Sequence, residues 1–401
     1  MKVLFVLSEV PWPITGGHVG HVYGMLRQAS MCSDVSIVCC VSGAEDRIQL
    51  NEFGAAHPEF RIVSHLQKRM GITLCFAKLF VLIRGWPLTL AAYCGLEQVL
   101  SERLCREDYD AVIYDSCKLI SLRIEGLPTV LLPHDFYSYS YRKASAIADK
   151  FLDRLIWAAR ASAFENIERN AYNEFQLVSF VSETDQERFR PYSRGVRMKS
   201  LPIALPDEAY AEPPSLECNS NDEPVVLIHG SFNLDIIALD LEWFLKFHIK
   251  DLINAFVGSR IVIWSRGKCT RLSRLEREYC ELEFVYWVDD YFDFLNASRV
   301  YIYPQRFGSG LQTKVLQAVS QGIPVIANED TLAGFDSCGV PVFSFQIGDA
   351  ETFSRVCQDL KFIGWPEDRQ GRYLRAEPIR RKYSAKALAE DFETALSFLV
   401  L

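Results

Sequence analysis

Apolar residues gather along this chain in short unbroken runs, with amphipathic stretches between them. In the first half the runs are Val3–Leu7, Val35–Cys39, Ala111–Tyr114, Thr129–Leu132 and Leu177–Val181. In the second half they are Val225–His229, Arg260–Trp264, Leu282–Tyr286, Val300–Tyr303 and Pro324–Ala327. A run such as Val3-Leu4-Phe5-Val6-Leu7 has no polar alternation, so it predicts a strand buried on both faces. Strand, helix, strand in this rhythm predicts parallel α/β sheets.

The series restarts once. Between its two halves lies 206–224, rich in proline and closing on the polar stretch Cys218-Asn219-Ser220-Asn221-Asp222-Glu223. Such composition predicts an exposed linker. Two doubly wound domains follow, 1–205 and 206–382. In 383–401, Ala385, Leu388, Phe392, Leu396 and Phe398 or Leu399 form one helical stripe that can cap either domain. Ligands of doubly wound sheets bind beyond the carboxyl ends of the strands. Two such domains facing an interdomain cleft would present those loops to each other.

Composition narrows the class. With 401 residues, 49% hydrophobic and 23% charged, the chain suits two or three globular domains. A net charge of -8 argues against a nucleic-acid partner, which needs a basic surface. Residues 1–205 carry 23 Lys and Arg against 22 Asp and Glu, the remainder 20 against 29. A membrane- or anion-facing surface is therefore expected in the first half. The 12 cysteines include no Cys-x-x-Cys pair, so no metal site is expected and most read as buried thiols in a reducing cytosol. The N-terminal apolar run meets Glu9 too soon for a signal peptide, and Lys78, Arg84 and Pro87 break the apolar region 70–96.

Four strand-end loops carry polar chemistry. Gly16 and Gly17, before a helix expected near Val19, allow close backbone approach and free N–H groups for a phosphate. A loop that simply needs positive φ explains them equally well. The second loop holds Gly308, Ser309, Gly310, Leu311, Gln312, Thr313 and Lys314. It opens a helix expected to run to about Gln321. Its first N–H groups, at Leu311, Gln312 and Thr313, suit a diphosphate, and Lys314 adds a charge. Gln317, one turn on, can meet a ribose hydroxyl. His134-Asp135 follows the fourth run; such a histidine is more often a structural hydrogen-bonder. His229 and Gly230 form the fourth loop, with Arg266 and Lys268 as further cations. The cluster Arg188, Arg190, Arg194, Arg197 and Lys199, together with apolar 70–86, could touch an anionic bilayer, though such clusters are usually solvated. Phe136, Tyr137, Tyr139 and Tyr141 could stack on a sugar or line a lipid path; aromatics more often pack.

At these residues the chain resembles the retaining glycosyltransferases of GT-B fold, in glycosyltransferase family four. The bacterial surface-polysaccharide sugar transferases are the nearest in flavour. The Gly16-Gly17 loop, His134-Asp135 and the block from Tyr303 to Ala327 carry the resemblance. Arg84-Gly85-Trp86-Pro87-Leu88 and Trp287-Val288-Asp289-Asp290 add to it. It implies a metal-independent, retaining hexosyltransferase that uses a UDP- or GDP-linked sugar and no further cofactor. Gly16 and Gly17 would approach the donor, and His134 would face the transferring sugar. Trp287 and Val288 would hold the base. The segment from Gly308 to Gln317 would hold diphosphate and ribose, with Gly230, Arg266 and Lys314 nearby. The catalytic candidates are His134, Lys314 and Gly17. The last helix would cross back to the first domain.

Two departures stand out. The family's two glutamates eight residues apart are here Ser309 and Gln317, and its Arg and Lys after the second domain's first strand are missing from Ser231-Phe232-Asn233-Leu234-Asp235. Diphosphate neutralisation would rest on Lys314, Arg266 or backbone N–H groups. The expected acceptor is a hydroxyl group on a lipid-linked saccharide. The expected location is cytoplasmic, with a peripheral contact on the inner membrane face. Two alternatives stand beside this: a nucleotide-sugar 2-epimerase using His18, His21, Asp135 and His229, and a non-catalytic sugar-nucleotide-binding partner subunit.

Overall fold

The computed structural model describes the chain except residues 14–16, 105–107, 149, 214–222, 307–311, 333–334, 364–368 and 401. It divides into two compact units, Met1–Ala204 with Tyr383–Leu401, and Leu205–Lys382.

Among the described residues the first unit holds seven strands: β1 (Lys2–Leu7), β2 (Asp34–Val41), β3 (Arg61–Gln67), β4 (Ala111–Tyr114), β5 (Thr129–His134), β6 (Leu177–Phe180) and β7 (Arg197–Ser200). They form one parallel sheet in the order β3-β2-β1-β4-β5-β6-β7. The order reverses between β1 and β4, which makes the loops after those two strands the switch point. Val3 to Leu7 are wholly buried because alternate residues feed different cores. Leu4 and Val6 pack with Val81, Tyr114 and Phe164 on one face. Val3, Phe5 and Leu7 pack with Leu26, Phe53 and Phe392 on the other. The C-terminal helix Ala385–Val400 belongs to this second face. Its Phe392 ring stacks on Phe5 at 6.3 Å, and Asp391 pairs with Lys199 at 2.7 Å. Leu399, rather than Phe398, completes the packed stripe.

The second unit holds β8 (Val225–His229), β9 (Arg260–Trp264), β10 (Glu283–Val285), β11 (Ser298–Tyr303), β12 (Val325–Asn328) and β13 (Val342–Phe345). Its parallel sheet runs β10-β9-β8-β11-β12-β13 and reverses between β8 and β11. The long helix Asp235–Ala255 buries Leu241, Phe244, Leu245 and Leu252 against Ile228, Phe345 and Phe353.

Three strands have no counterpart in the apolar runs: β3, β7 and β13. All three are edge strands. Their one-sided burial leaves Arg61, Ser64, Lys199 and Ser344 in the pattern, which erases the continuous apolar signal. The expected exposed linker is corrected at its start. Asp207–Tyr210 is a short 3₁₀ turn with Ala209 wholly buried. Tyr210 donates to the Arg380 carbonyl at 3.0 Å and accepts from Tyr373 at 2.7 Å through its own carbonyl.

Candidate functional site

In the first unit the switch-point loops bring together Ser8, after β1, and Asp115, after β4. Ser8 donates its backbone N–H to Asp115 Oδ1 at 2.9 Å and its hydroxyl to Oδ2 at 3.2 Å. The helix Gly17–Ser30 starts two residues before the expected Val19, so Gly17 opens it and His18 and His21 lie in its first turns. His18 Nε2 stands 3.6 Å from Asp115 Oδ2, 3.4 Å from Glu9 Oε1 and 3.4 Å from Ser8 Oγ.

His134 closes β5 with φ +68°, and the Asp135 N–H returns to the Pro133 carbonyl at 2.9 Å. That is a three-residue γ-turn with a non-glycine residue at its centre, a conformation that stores strain. The turn carries the imidazole to His21, with Nδ1 to Nε2 at 3.2 Å, and places the His18 ring edge-on at 4.5 Å. Burial first, then the neighbouring imidazoles, hold His21 and His134 well below the usual histidine range. Both are neutral at pH 7. Neutral imidazoles beside a buried carboxylate can orient hydroxyl groups. Ligand atoms of His18, Asp115 and His134 also lie within 4.8 Å of one another, a set able to accept a divalent cation. Burial raises Asp135 to about 7, and Asp185 adds to the rise.

In the second unit the helix Thr313–Ser320 begins after Gln312, which caps it. Gln312 is thus the N-cap and not a first-turn residue: its backbone is extended, with φ -83° and ψ 109°, and its side-chain Oε1 accepts the Tyr303 hydroxyl at 2.9 Å. On the other flank, Arg306 is held by the wholly buried Asp240. Its Nε donates to Oδ1 at 2.7 Å and its N–H to Oδ2 at 2.9 Å. Phe307 and the expected cradle residues Gly308, Ser309, Gly310 and Leu311 lie outside the described residues, as does Gly16. The segment's two ends are nevertheless anchored from β11 and from the Asp235–Ala255 helix.

Lys314 is the cation of this site. Its Nζ donates to Ser231 Oγ at 3.1 Å, on the loop after β8. Among the described residues it has no carboxylate partner. Burial lowers it to about 8, so it is still mostly charged at pH 7. A half-buried ammonium held only by a hydroxyl retains most of its capacity for an anion. Gln317 is buried one turn further along the helix, and Thr313 is half-buried. Arg266 is exposed after β9. Lys268 is committed to Glu276 at 2.8 Å and lies over the Tyr286 ring. Trp287 is exposed beyond β10, its Nε1 donating to Asp289 at 3.2 Å, with Val288 half-buried beside it.

Two glycine and histidine expectations change meaning. A Cβ on Gly230 would stand 2.5 Å from the buried Phe232 ring, so packing requires this glycine. His229 is a core residue: its Nδ1 meets the Tyr301 hydroxyl at 3.0 Å and its ring lies 4.0 Å from Trp264. The aromatic stretch 136–141 also packs, with Tyr137 stacked on Phe164 at 4.9 Å and Tyr141 at 5.3 Å. Asp115 and Ser8 were absent from the sequence candidates, and Ser231 stood in the fourth loop without a role of its own. Their signal was a place at a strand end; their partners lie 107 and 83 residues away.

The two parallel Rossmann-like sheets define a GT-B fold, and solved structures share it. HepE of Anabaena, in complex with UDP, superposes with a TM-score of 0.63 at 15% identity over 99% of this chain and 100% of that one. Sucrose-phosphate synthase of Thermosynechococcus elongatus gives 0.65 at 13% identity over 100% and 99%. An Escherichia coli trehalose-6-phosphate enzyme structure, bound with UDP-2-fluoro glucose, gives 0.62 at 13% over 98% of each chain. Residues 223–360 match the family model of glycosyl transferases group 1. No curated protein matches the sequence. The family match lies within the second unit, and the solved structures share the GT-B fold over the whole chain.

Proposed function

We propose that this chain transfers a sugar from a nucleoside diphosphate donor, UDP- or GDP-linked, to a hydroxyl acceptor with retention at the anomeric carbon. The observation that carries the reading is Lys314: a charged ammonium with no carboxylate partner among the described residues, in the first turn of the helix after β11. It lies within the stretch that matches group 1 glycosyl transferases. As the glycosidic bond breaks, negative charge grows on the leaving diphosphate. Lys314 and the first N–H groups of its helix would stabilise that charge without reorganising. Gln317 would accept from ribose, and Trp287 with Val288 would flank the base. His134 would hold the transferring sugar through a neutral imidazole, with Gly16 and Gly17 beside the donor. A lipid-linked saccharide in polysaccharide assembly is the acceptor this reading favours.

With Lys314 as the neutralising charge, transfer is expected to proceed without a metal ion. Incubation of the protein with donor and a saccharide acceptor should release nucleoside diphosphate and form a glycoside, and a chelator should leave the rate unchanged. Interconversion of the sugar nucleotide without acceptor would instead establish an epimerase. Loss of activity on chelation, restored by a divalent cation, would move the chemistry to His18, Asp115 and His134.

A further inference from the structure

The helix Gly71–Ile83 of the first unit reads Gly-Ile-Thr-Leu-Cys-Phe-Ala-Lys-Leu-Phe-Val-Leu-Ile. A helix apolar all round belongs inside a core or a membrane. Here only a narrow stripe is used: Ala77 and Val81 are buried, with Leu74 packed beside them. The rest faces outward. Ile72 is 76% exposed, Phe76 71%, Leu79 58%, Phe80 45%, Leu82 57% and Ile83 78%. Thirteen residues span roughly 20 Å, too short to cross a bilayer but long enough to lie in its interface. No helix among the described residues is long and apolar enough to cross a membrane.

Charge selects the occupant. From residue 68 to residue 96 the chain carries Lys68, Arg69, Lys78 and Arg84 and no Asp or Glu. Arg84 lies over the Phe80 and Trp86 rings, at 4.4 and 4.9 Å, so its stem runs along apolar surface as a snorkelling side chain does. A cavity of about 420 Å³ opens beside the helix, lined by Phe76, Phe80, Trp86, Arg69 and Arg84, with Glu97 its carboxylate. The helix is fixed to the body of the unit: Asn166 donates to the Arg84 and Gly85 carbonyls at 3.0 and 3.1 Å. The basic cluster around 188–199 is a poorer surface. Arg188 pairs with Asp185 and Arg190 with Glu187, while Arg194 bonds Asn170 and Lys199 bonds Asp391.

We infer that the Gly71–Ile83 helix docks in the plane of an anionic lipid bilayer, its outer apolar side chains among the acyl chains and its cations among the headgroups. The inference rests on exposed surface and charge and holds whether or not the chain transfers a sugar. Aromatic and aliphatic residues supply the insertion, and the cations Lys68, Arg69, Lys78 and Arg84 supply the preference for negative headgroups.

The experiment is co-sedimentation of the full chain with vesicles of phosphatidylcholine alone or of an equimolar mixture with phosphatidylglycerol. Binding should favour the anionic vesicles at least about tenfold and weaken with salt. Phe76→Glu with Leu79→Glu should abolish it, and Lys78→Glu alone should weaken it about fivefold or more. All three side chains are exposed, so the thermal unfolding midpoint should not move; a variant that shifts it is replaced by Ile72→Glu. Absence of binding by the folded wild-type chain overturns the inference. So does equal binding to both vesicles, or binding that survives the double substitution. Sedimentation as a dimer that the double substitution dissociates, without vesicle binding, would assign the same surface to a second copy of the chain.

Discussion

Replacing Lys314 by Met is expected to lower kcat/KM for the sugar donor roughly a hundred- to a thousandfold. The size follows from what the side chain does. A preorganised donor directed at charge that grows in the transition state costs about this much when removed. Among the described residues Lys314 has no carboxylate to lose, so the substitution leaves no buried anion there; the Ser231 hydroxyl must find another partner. The loss should therefore appear in catalysis and donor binding rather than in folding. Stability should stay within about 1 kcal/mol of the wild type, or rise, because a buried ammonium is removed. The pH profile tests the same assignment. Lys314 loses its proton near pH 8, below the ordinary lysine range, because burial disfavours the charged form. In the free protein it is charged below that pH and neutral above it. Donor KM should therefore rise as pH passes through about 8. Lys314→Arg keeps its charge across this window, so its donor KM should be flat there, whatever its absolute value. A wild-type KM that does not change between pH 7 and pH 9 would contradict the role.

The second large effect is structural. Gly322 has φ +71° and ends the helix that carries Lys314, its N–H returning to the Val319 carbonyl at 2.9 Å. A Cβ there would stand 2.0 Å from the Arg372 carbonyl oxygen, which is backbone and cannot rotate away. Arg372 is itself fixed, donating to the Ser298 and Asn296 carbonyls at 2.7 and 3.0 Å. Gly322→Ala should thus add a steric cost to the left-handed backbone cost, and destabilise the second unit by about 3 kcal/mol or more. Gly258 isolates the backbone part: its φ is +77° and nothing lies within 4 Å of its Cβ position. Gly258→Ala should cost only about 1 kcal/mol. Denaturant unfolding of both variants makes the comparison. Equal losses would mean that the Arg372 segment yields to the methyl group.

How much of this was legible in the sequence depended on where each residue sits in its sheet. The central strands were readable because both faces are covered, so Val3–Leu7 and Val225–His229 carry no polar residue before their last position. β3 and β7 were not, because an edge strand shows solvent one face and mixes Arg, Lys and Ser into the run. Helix starts moved by two to three residues, at Gly17 and Thr313, since capping is decided by geometry that composition only approximates. Lys314 was readable as a cation opening a helix after a glycine-rich turn. Its partner Ser231 was not, nor was the Ser8–Asp115 pair that fixes His18. Those contacts exist only because the sheet order reverses between β1 and β4 and between β8 and β11, a fact of topology rather than of local pattern. His229 shows the opposite case: a strand-end histidine was offered as acid or base of the epimerase alternative, and an aromatic cage of Trp264, Tyr291 and Tyr301 claims it for the core.

The central claim is that the second unit holds a nucleoside diphosphate through Lys314. Thermal unfolding of the full chain against UDP, GDP, TDP, CDP and their sugars, without added metal, measures this directly. A ligand at a hundredfold its dissociation constant stabilises the folded state by about 2.7 kcal/mol. The unfolding midpoint should rise for one nucleotide series, and the rise should be absent in Lys314→Met. No rise with any nucleotide, or a rise that Lys314→Met retains in full, would contradict it.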